Sequence, residues 1–315
     1  MTELNRRSMF ALGAGIAAMG AAGTGVASAG TEHEADLPGF RHNYAQVNGV
    51  RLHYVTGGRG EPLVLLPGWP QTWWEYHKIM PALAAKFRVI VVDLRGMGGS
   101  EKPQGGYDKK TMAADIHELV KKLGYKDVNI AGHDIGSQVA FSFAANFPGA
   151  TRKVALMDVL HPDEGYYQIP LLPPPGGFSL WWFAFNQAQT LPEQLLAGRF
   201  RFLIDWLFAN TALNPAAIDE RSRQIYARAY NSPDAIRAGN GWYKAFHQDI
   251  ADGKTYAKLT PPVLGLASVL SFEQFQAALP NVAVNGKAVA VDGAGHWLAE
   301  ESPDAVAREL TAFFG

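Results

Sequence analysis

The run Ile130-Ala131-Gly132-His133-Asp134-Ile135-Gly136-Ser137 holds the residues best placed to do chemistry. Apolar residues of strand type lead into it, and a helical stretch from Gln138 to Asn146 follows. Small residues two before and two after Asp134 let one side chain stand on a tight strand-to-helix turn, the shape of a nucleophile elbow. The residue on that turn is an aspartate. Carboxylate attack on a saturated carbon gives an alkyl-enzyme ester, whose hydrolysis then attacks the enzyme's own carbonyl. Serine-type ester hydrolysis is thereby disfavoured. The helix N-terminus supplies backbone N–H groups, that of Ile135 first, which favour the anion and later a tetrahedral oxyanion. Taken alone, Gly-x-Asp-x-Gly also suits a turn aspartate capping a helix, so the surroundings decide.

Those surroundings repeat one arrangement, a short apolar strand running into a loop with chemical content. Pro67-Gly68-Trp69-Pro70 follows one strand and presents the Trp69 N–H as a second oxyanion donor. Asp93-Leu94-Arg95-Gly96-Met97-Gly98-Gly99-Ser100 follows another. Gly293-Ala294-Gly295-His296-Trp297-Leu298 follows the last strand and precedes a helix opened by Ser302-Pro303. The strands that must position these loops are Leu63-Leu66, Val89-Val92, Val128-Ala131, Val154-Met157, Val263-Leu266 and Ala288-Val291. Continuous apolar strands alternating with helix-length segments predict a parallel sheet covered on both faces. Ahead of them, His42-Val47 and Arg51-Val55 flank Asn48-Gly49, a hairpin signal. From about His161 to Lys258 the strand signal stops. That stretch begins with Pro170 and Pro173-Pro174-Pro175, and reads as helices over Leu195-Phe208 and Ile218-Tyr230.

Composition bounds the rest. The chain has 315 residues, 48% hydrophobic and 18% charged, enough for a full core. Lys+Arg number 28 against 29 Asp+Glu, so no overall field steers the protein to nucleic acid or anionic lipid. With no cysteine, disulfides, thiolate metal sites and a thiol nucleophile are out. No His-Glu-x-x-His spacing and no phosphate-cradling loop followed by Lys-Ser/Thr occurs, so neither a metal nor a nucleotide cofactor is expected. The first residues, Asn5-Arg6-Arg7-Ser8-Met9-Phe10, precede an uncharged Ala/Gly-rich run closing on Ala27-Ser28-Ala29. This resembles a twin-arginine export leader cleaved after Ala29, too rich in Gly and Ala for a stable membrane anchor. Export to the periplasm or medium is the expectation, with residues 30–39 as a polar tether.

From about residue 40 onward the chain resembles the epoxide hydrolase and haloalkane dehalogenase branch of the α/β-hydrolases, most of all the secreted Cif-like epoxide hydrolases. The resemblance rests on Gly-Trp-Pro-Gln-Thr-Trp-Trp at 68–74, Asp-Leu-Arg-Gly at 93–96, His-Asp-Ile-Gly at 133–136 and Gly-His-Trp-Leu-Ala-Glu-Glu at 295–301. It implies an α/β-hydrolase fold: a mostly parallel eight-stranded sheet flanked by helices, with a core of residues 40–160 and 259–315 and an inserted helical cap at 161–258. It also implies roles: Asp134 as nucleophile, His296 as the general base for ester hydrolysis, Asp158 as the acid orienting His296, and Tyr243 in Gly241-Trp242-Tyr243-Lys244 as the cap proton donor. His133 is read as structural support. One departure is that the family usually carries His where this chain has Pro67.

A second cap donor, generally Tyr or His, has no counterpart in Leu180-Trp181-Trp182-Phe183-Ala184-Phe185. Indole N–H groups suit a departing halide, which needs donors but no proton, so a dehalogenase remains a competing reading. A third is a binding protein drifted from catalysis. Trp181, Trp182 and Phe183, with Trp69 and Ile135, are candidate walls for a small, neutral, apolar substrate. No arginine follows Asp134 until Arg152, which disfavours a haloacid of the fluoroacetate type. The cap aromatics suit a homodimer face as well as a pocket wall.

Overall fold

The computed structural model describes residues 35–173, 175 and 178–315. The leader at 1–29 and the first part of the tether lie outside the described residues; within 35–39, Leu37 packs against the core. β1 (Phe40–Val47) and β2 (Val50–Gly57) form the hairpin. Asn48 and Gly49 turn it with φ of 43° and 75°, the positive values a two-residue turn of this kind requires. Then follow β3 (Glu61–Leu66), β4 (Phe87–Val92), β5 (Val128–His133), β6 (Thr151–Met157), β7 (Val263–Ser268) and β8 (Gly286–Val291). The sheet order is β1-β2-β4-β3-β5-β6-β7-β8. β2 runs antiparallel to β1 and β4, and every other pair is parallel.

Helices α1 (Met80–Ala84), α2 (Lys109–Lys122) and α3 (Ile135–Asn146) make the crossovers of the first half. Between β6 and β7 lie α4 (Trp181–Gln187), α5 (Leu191–Leu196), α6 (Phe200–Thr211), α7 (Glu220–Ala229), α8 (Pro233–Lys244) and α9 (Phe246–Gly253). Then α10 (Phe272–Val282) joins β7 to β8, and α11 (Leu298–Glu301) and α12 (Pro303–Phe314) close the chain. Every residue of β5 and β7 is buried, which is why both read as unbroken apolar runs.

The stretch read as one helix over Leu195-Phe208 is two. α5 ends at Leu196, and Gly198 takes φ 75° with its N–H donating to the Asn231 carbonyl before α6 begins. Apolar periodicity continued across this break, but a left-handed glycine ends a helix. The second stretch is α7, capped by Asp219 accepting from the Ser222 N–H at 2.7 Å.

One buried ion pair ties the α4–α9 region to the sheet domain. Lys109 of α2 lies 2.7 Å from Asp249 of α9, both side chains fully buried, and also donates to the Trp242 carbonyl of α8 at 2.6 Å. Among the described residues, no helix is long and apolar enough to cross a membrane.

Candidate active site

Asp134 sits at the carboxyl end of β5 with φ 51° and ψ −120°, a conformation an aspartate adopts only when its surroundings force it. Two glycines make the turn possible. A Cβ on Gly132 would stand 2.0 Å from the Gly136 carbonyl oxygen, and one on Gly136 would stand 2.0 Å from that of Leu66. The turn aims the carboxylate at two backbone donors. The Trp69 N–H reaches Oδ1 at 3.0 Å, and the Ile135 N–H also donates to the carboxylate.

Asp158 and His296 arrive from neighbouring strands. β5, β6, β7 and β8 run side by side in parallel, so the loops after β5, β6 and β8 leave from one edge of the sheet. His296 Nδ1 is 2.8 Å from Asp158 Oδ2, and its Nε2 is 3.6 Å from Asp134 Oδ2. Asp158, itself at φ 59°, is held by the Ser268 N–H at 2.7 Å and by the Ser271 hydroxyl. The His296 N–H donates to the Thr211 carbonyl at the end of α6.

Electrostatics follow from this packing. Burial works against the His296 imidazolium, but hydrogen bonds and charge from Asp134 and Asp158 outweigh it and push its pKa up to about 10. Burial likewise opposes both carboxylates, yet His296 holds Asp134 and Asp158 below the ordinary aspartate range. At neutral pH the trio is therefore carboxylate, imidazolium, carboxylate.

A cavity of about 830 Å³ opens over Asp134. Tyr243, Trp182, Phe183, Trp69, Ile135 and His296 all line it. Tyr243 is buried among aromatic rings, with centroids 5.2 Å from Trp69, 5.4 Å from Phe183 and 5.2 Å from Phe246. Its hydroxyl is held well above the ordinary tyrosine pKa by burial and then by the charge on Asp134, against a hydrogen bond from Trp182. Trp181 corrects the sequence reading. It lies outside this cavity and packs edge-on against Phe185 and Trp206, because consecutive helical residues point about 100° apart.

Sequence reasoning missed three residues here. Glu75, buried just past the 68–74 motif, accepts from the Gly68 N–H at 2.8 Å and lies 3.1 Å from His133 Nδ1. His133 in turn donates from Nε2 to the His296 carbonyl at 2.8 Å. This pair links the Trp69 loop to the His296 loop. Burial opposes the His133 cation, but the charge of Glu75 and a hydrogen bond to it outweigh burial and raise the His133 pKa. Gln138 and Tyr166 line the cavity together, joined by a 3.1 Å hydrogen bond. The i, i+4 spacing from Asp134 was the available signal for Gln138. Tyr166 had none, because its 3-10 turn (Glu164–Gln168) carries no periodicity. Among the described residues, no group of three His, Asp or Glu side chains is placed to hold a metal ion.

The comparisons agree with this fold. The alpha/beta hydrolase fold family matches residues 61–263. A soluble epoxide hydrolase of Corynebacterium sp. (strain C12) is 36% identical, covering 87% of this chain and 96% of that one. A fluoroacetate dehalogenase of Burkholderia sp. is 28% identical, covering 87% and 94%. The crystal structure of the Cif epoxide hydrolase from Acinetobacter nosocomialis superposes with a TM-score of 0.81 at 24% identity, over 89% of this chain and 91% of that one, a likeness of fold alone. The chain belongs to the α/β-hydrolase family, in its epoxide hydrolase branch. It is a hydrolase.

Proposed function

We propose that this enzyme hydrolyses epoxides through an ester on Asp134. The observation that carries the reading is a carboxylate, rather than a hydroxyl, on the elbow, sharing one cavity with the phenol of Tyr243. Since Oδ1 accepts from the Trp69 N–H, Oδ2 is the attacking oxygen. Oδ2 bonds to a ring carbon, the carbon–oxygen bond of the ring breaks, and the alkoxide takes the Tyr243 proton.

Esterification removes the Asp134 charge that raised the His296 pKa. The imidazolium then releases its proton, which restores Tyr243, and becomes a neutral base. It takes a proton from water as that water attacks the ester carbonyl, whose oxygen is Oδ1. The Trp69 and Ile135 N–H groups stabilise the resulting oxyanion. Asp158 fixes the imidazole through Nδ1 and offsets its charge. Collapse releases a diol and the free carboxylate.

Halide displacement is the second reading. It is favoured by Trp182, which lines the cavity with its one indole N–H beside the Tyr243 oxygen, a donor that could turn from that oxygen to a departing halide. Intact mass of His296→Gln protein after brief exposure to epibromohydrin separates the readings. An adduct retaining bromine and absent from Asp134→Ser is the expected result. Loss of bromine, without closure of a bromohydrin ester, favours displacement, and no adduct sinks both. We also propose that residues 1–29 direct export, a reading supported by Arg6-Arg7 and Ala27-Ser28-Ala29.

A further inference from the structure

The wall of the Asp134 cavity is mostly apolar and aromatic, but Gln138 breaks that pattern. Its residue is 2% exposed, and its Oε1 has no hydrogen-bond partner among the described residues. Its N–H donates to the Asp134 carbonyl, which places Gln138 in the first turn of α3, and both residues line the cavity. Its Nε2 donates to the Tyr166 hydroxyl at 3.1 Å, and Tyr166 lines the same cavity.

A carboxamide's two ends are interchangeable by a flip. With Nε2 on Tyr166, the pair leaves the Gln138 carbonyl as acceptor and the Tyr166 O–H as donor. Flipped, Tyr166 donates to the carbonyl and leaves the amide N–H as donor and its own oxygen as acceptor. Either way the pair keeps one donor and one acceptor side by side at the cavity wall, with the free end of the Gln138 amide closed to solvent until the side chain turns toward an occupant. A carboxylate only accepts, and no Lys or Arg lines this cavity among the described residues. A halogen or a methyl satisfies neither group. A hydroxyl satisfies both.

We infer that Gln138 and Tyr166 form a hydroxyl-recognition subsite, so that the epoxide taken by this enzyme carries an alcohol close to its ring. This rests on the epoxide reading above and narrows the apolar substrate expected from the sequence. A matched pair of substrates tests it: 3-phenylglycidol and trans-β-methylstyrene oxide, which differ only by a hydroxyl on the methyl carbon. The readout is the ratio of their kcat/KM values in wild type, Gln138→Leu and Tyr166→Phe. The ratio is internal to each protein, so the fraction folded cancels, and the comparison across proteins removes the hydroxyl's own effect on ring reactivity.

The expected result is a fall of about tenfold in the alcohol-to-methyl ratio in each variant. The same ratio in all three proteins overturns the subsite and leaves a pair that holds only water. Turnover of neither epoxide by the wild type, with no ester in His296→Gln, overturns the epoxide reading and the subsite with it.

Discussion

His296 has to serve two opposite states with one imidazole. In the resting site it is an imidazolium between two carboxylates, with a pKa pushed up to about 10. In the proposed reaction it becomes a base only once Asp134 is esterified and neutral. Asp134→Asn imitates that neutral state without substrate, so the His296 titration followed by NMR is expected to fall well below 10 in this variant. An unmoved titration would remove the charge-release step. The same pKa has a stability consequence. A pKa raised from 6.5 to about 10 on folding means the folded state keeps a proton that the unfolded chain loses. This contribution is complete below pH 6.5 and disappears as pH climbs to 10, so the Tm advantage of wild type over His296→Gln should shrink across that window. Asp134, Asp158 and His296 were legible in the sequence because each lies in the loop that follows an apolar strand, at positions the family resemblance marks out. Glu75 was not, since its role depends on a loop folding back to Gly68 and His133.

At the scale of elements, the cavity is built where α3, α4 and α8 present side chains to the ends of the parallel strands. Trp182 and Phe183 flank the cavity-facing side of α4, and Trp181, about 200° round the helix from Phe183, points away from the cavity. Sequence pattern located the helices but not their rotation, and rotation is what sorts these two indoles. The Lys109–Asp249 pair fixes α8 and α9 over the site from α2. Burial lowers the Lys109 pKa and raises that of Asp249, so each charge is tolerated only because of the other. Asp249→Ala therefore leaves an unpaired buried ammonium and is expected to destabilise the protein by about 3–5 kcal/mol in chemical denaturation. The double variant Lys109→Met/Asp249→Leu should recover most of that loss. Equal destabilisation by single and double variants would show that packing at α9, not charge, is what the pair contributes.

For the molecule as a whole, the sheet order was the most legible property. A hairpin followed by alternating buried strands and helices leaves few topologies open, and parallel neighbours bring their following loops to one edge. The α4–α9 region was legible only as helical, because its described helices pack largely on one another, without a sheet to set their directions. A cysteine-free chain needs no disulfide formation to become native, so its folding does not depend on the redox state of the compartment. That property suits a route that carries proteins already folded, the route proposed above from the paired arginines. Replacing Arg6 and Arg7 with lysine is then expected to leave the full-length, folded hydrolase inside the cell, active on epoxide in the cytosolic fraction and untrimmed by intact mass. Continued export and cleavage after Ala29 in that double variant would assign the leader to the general secretory route, where the chain crosses unfolded and the core must assemble outside.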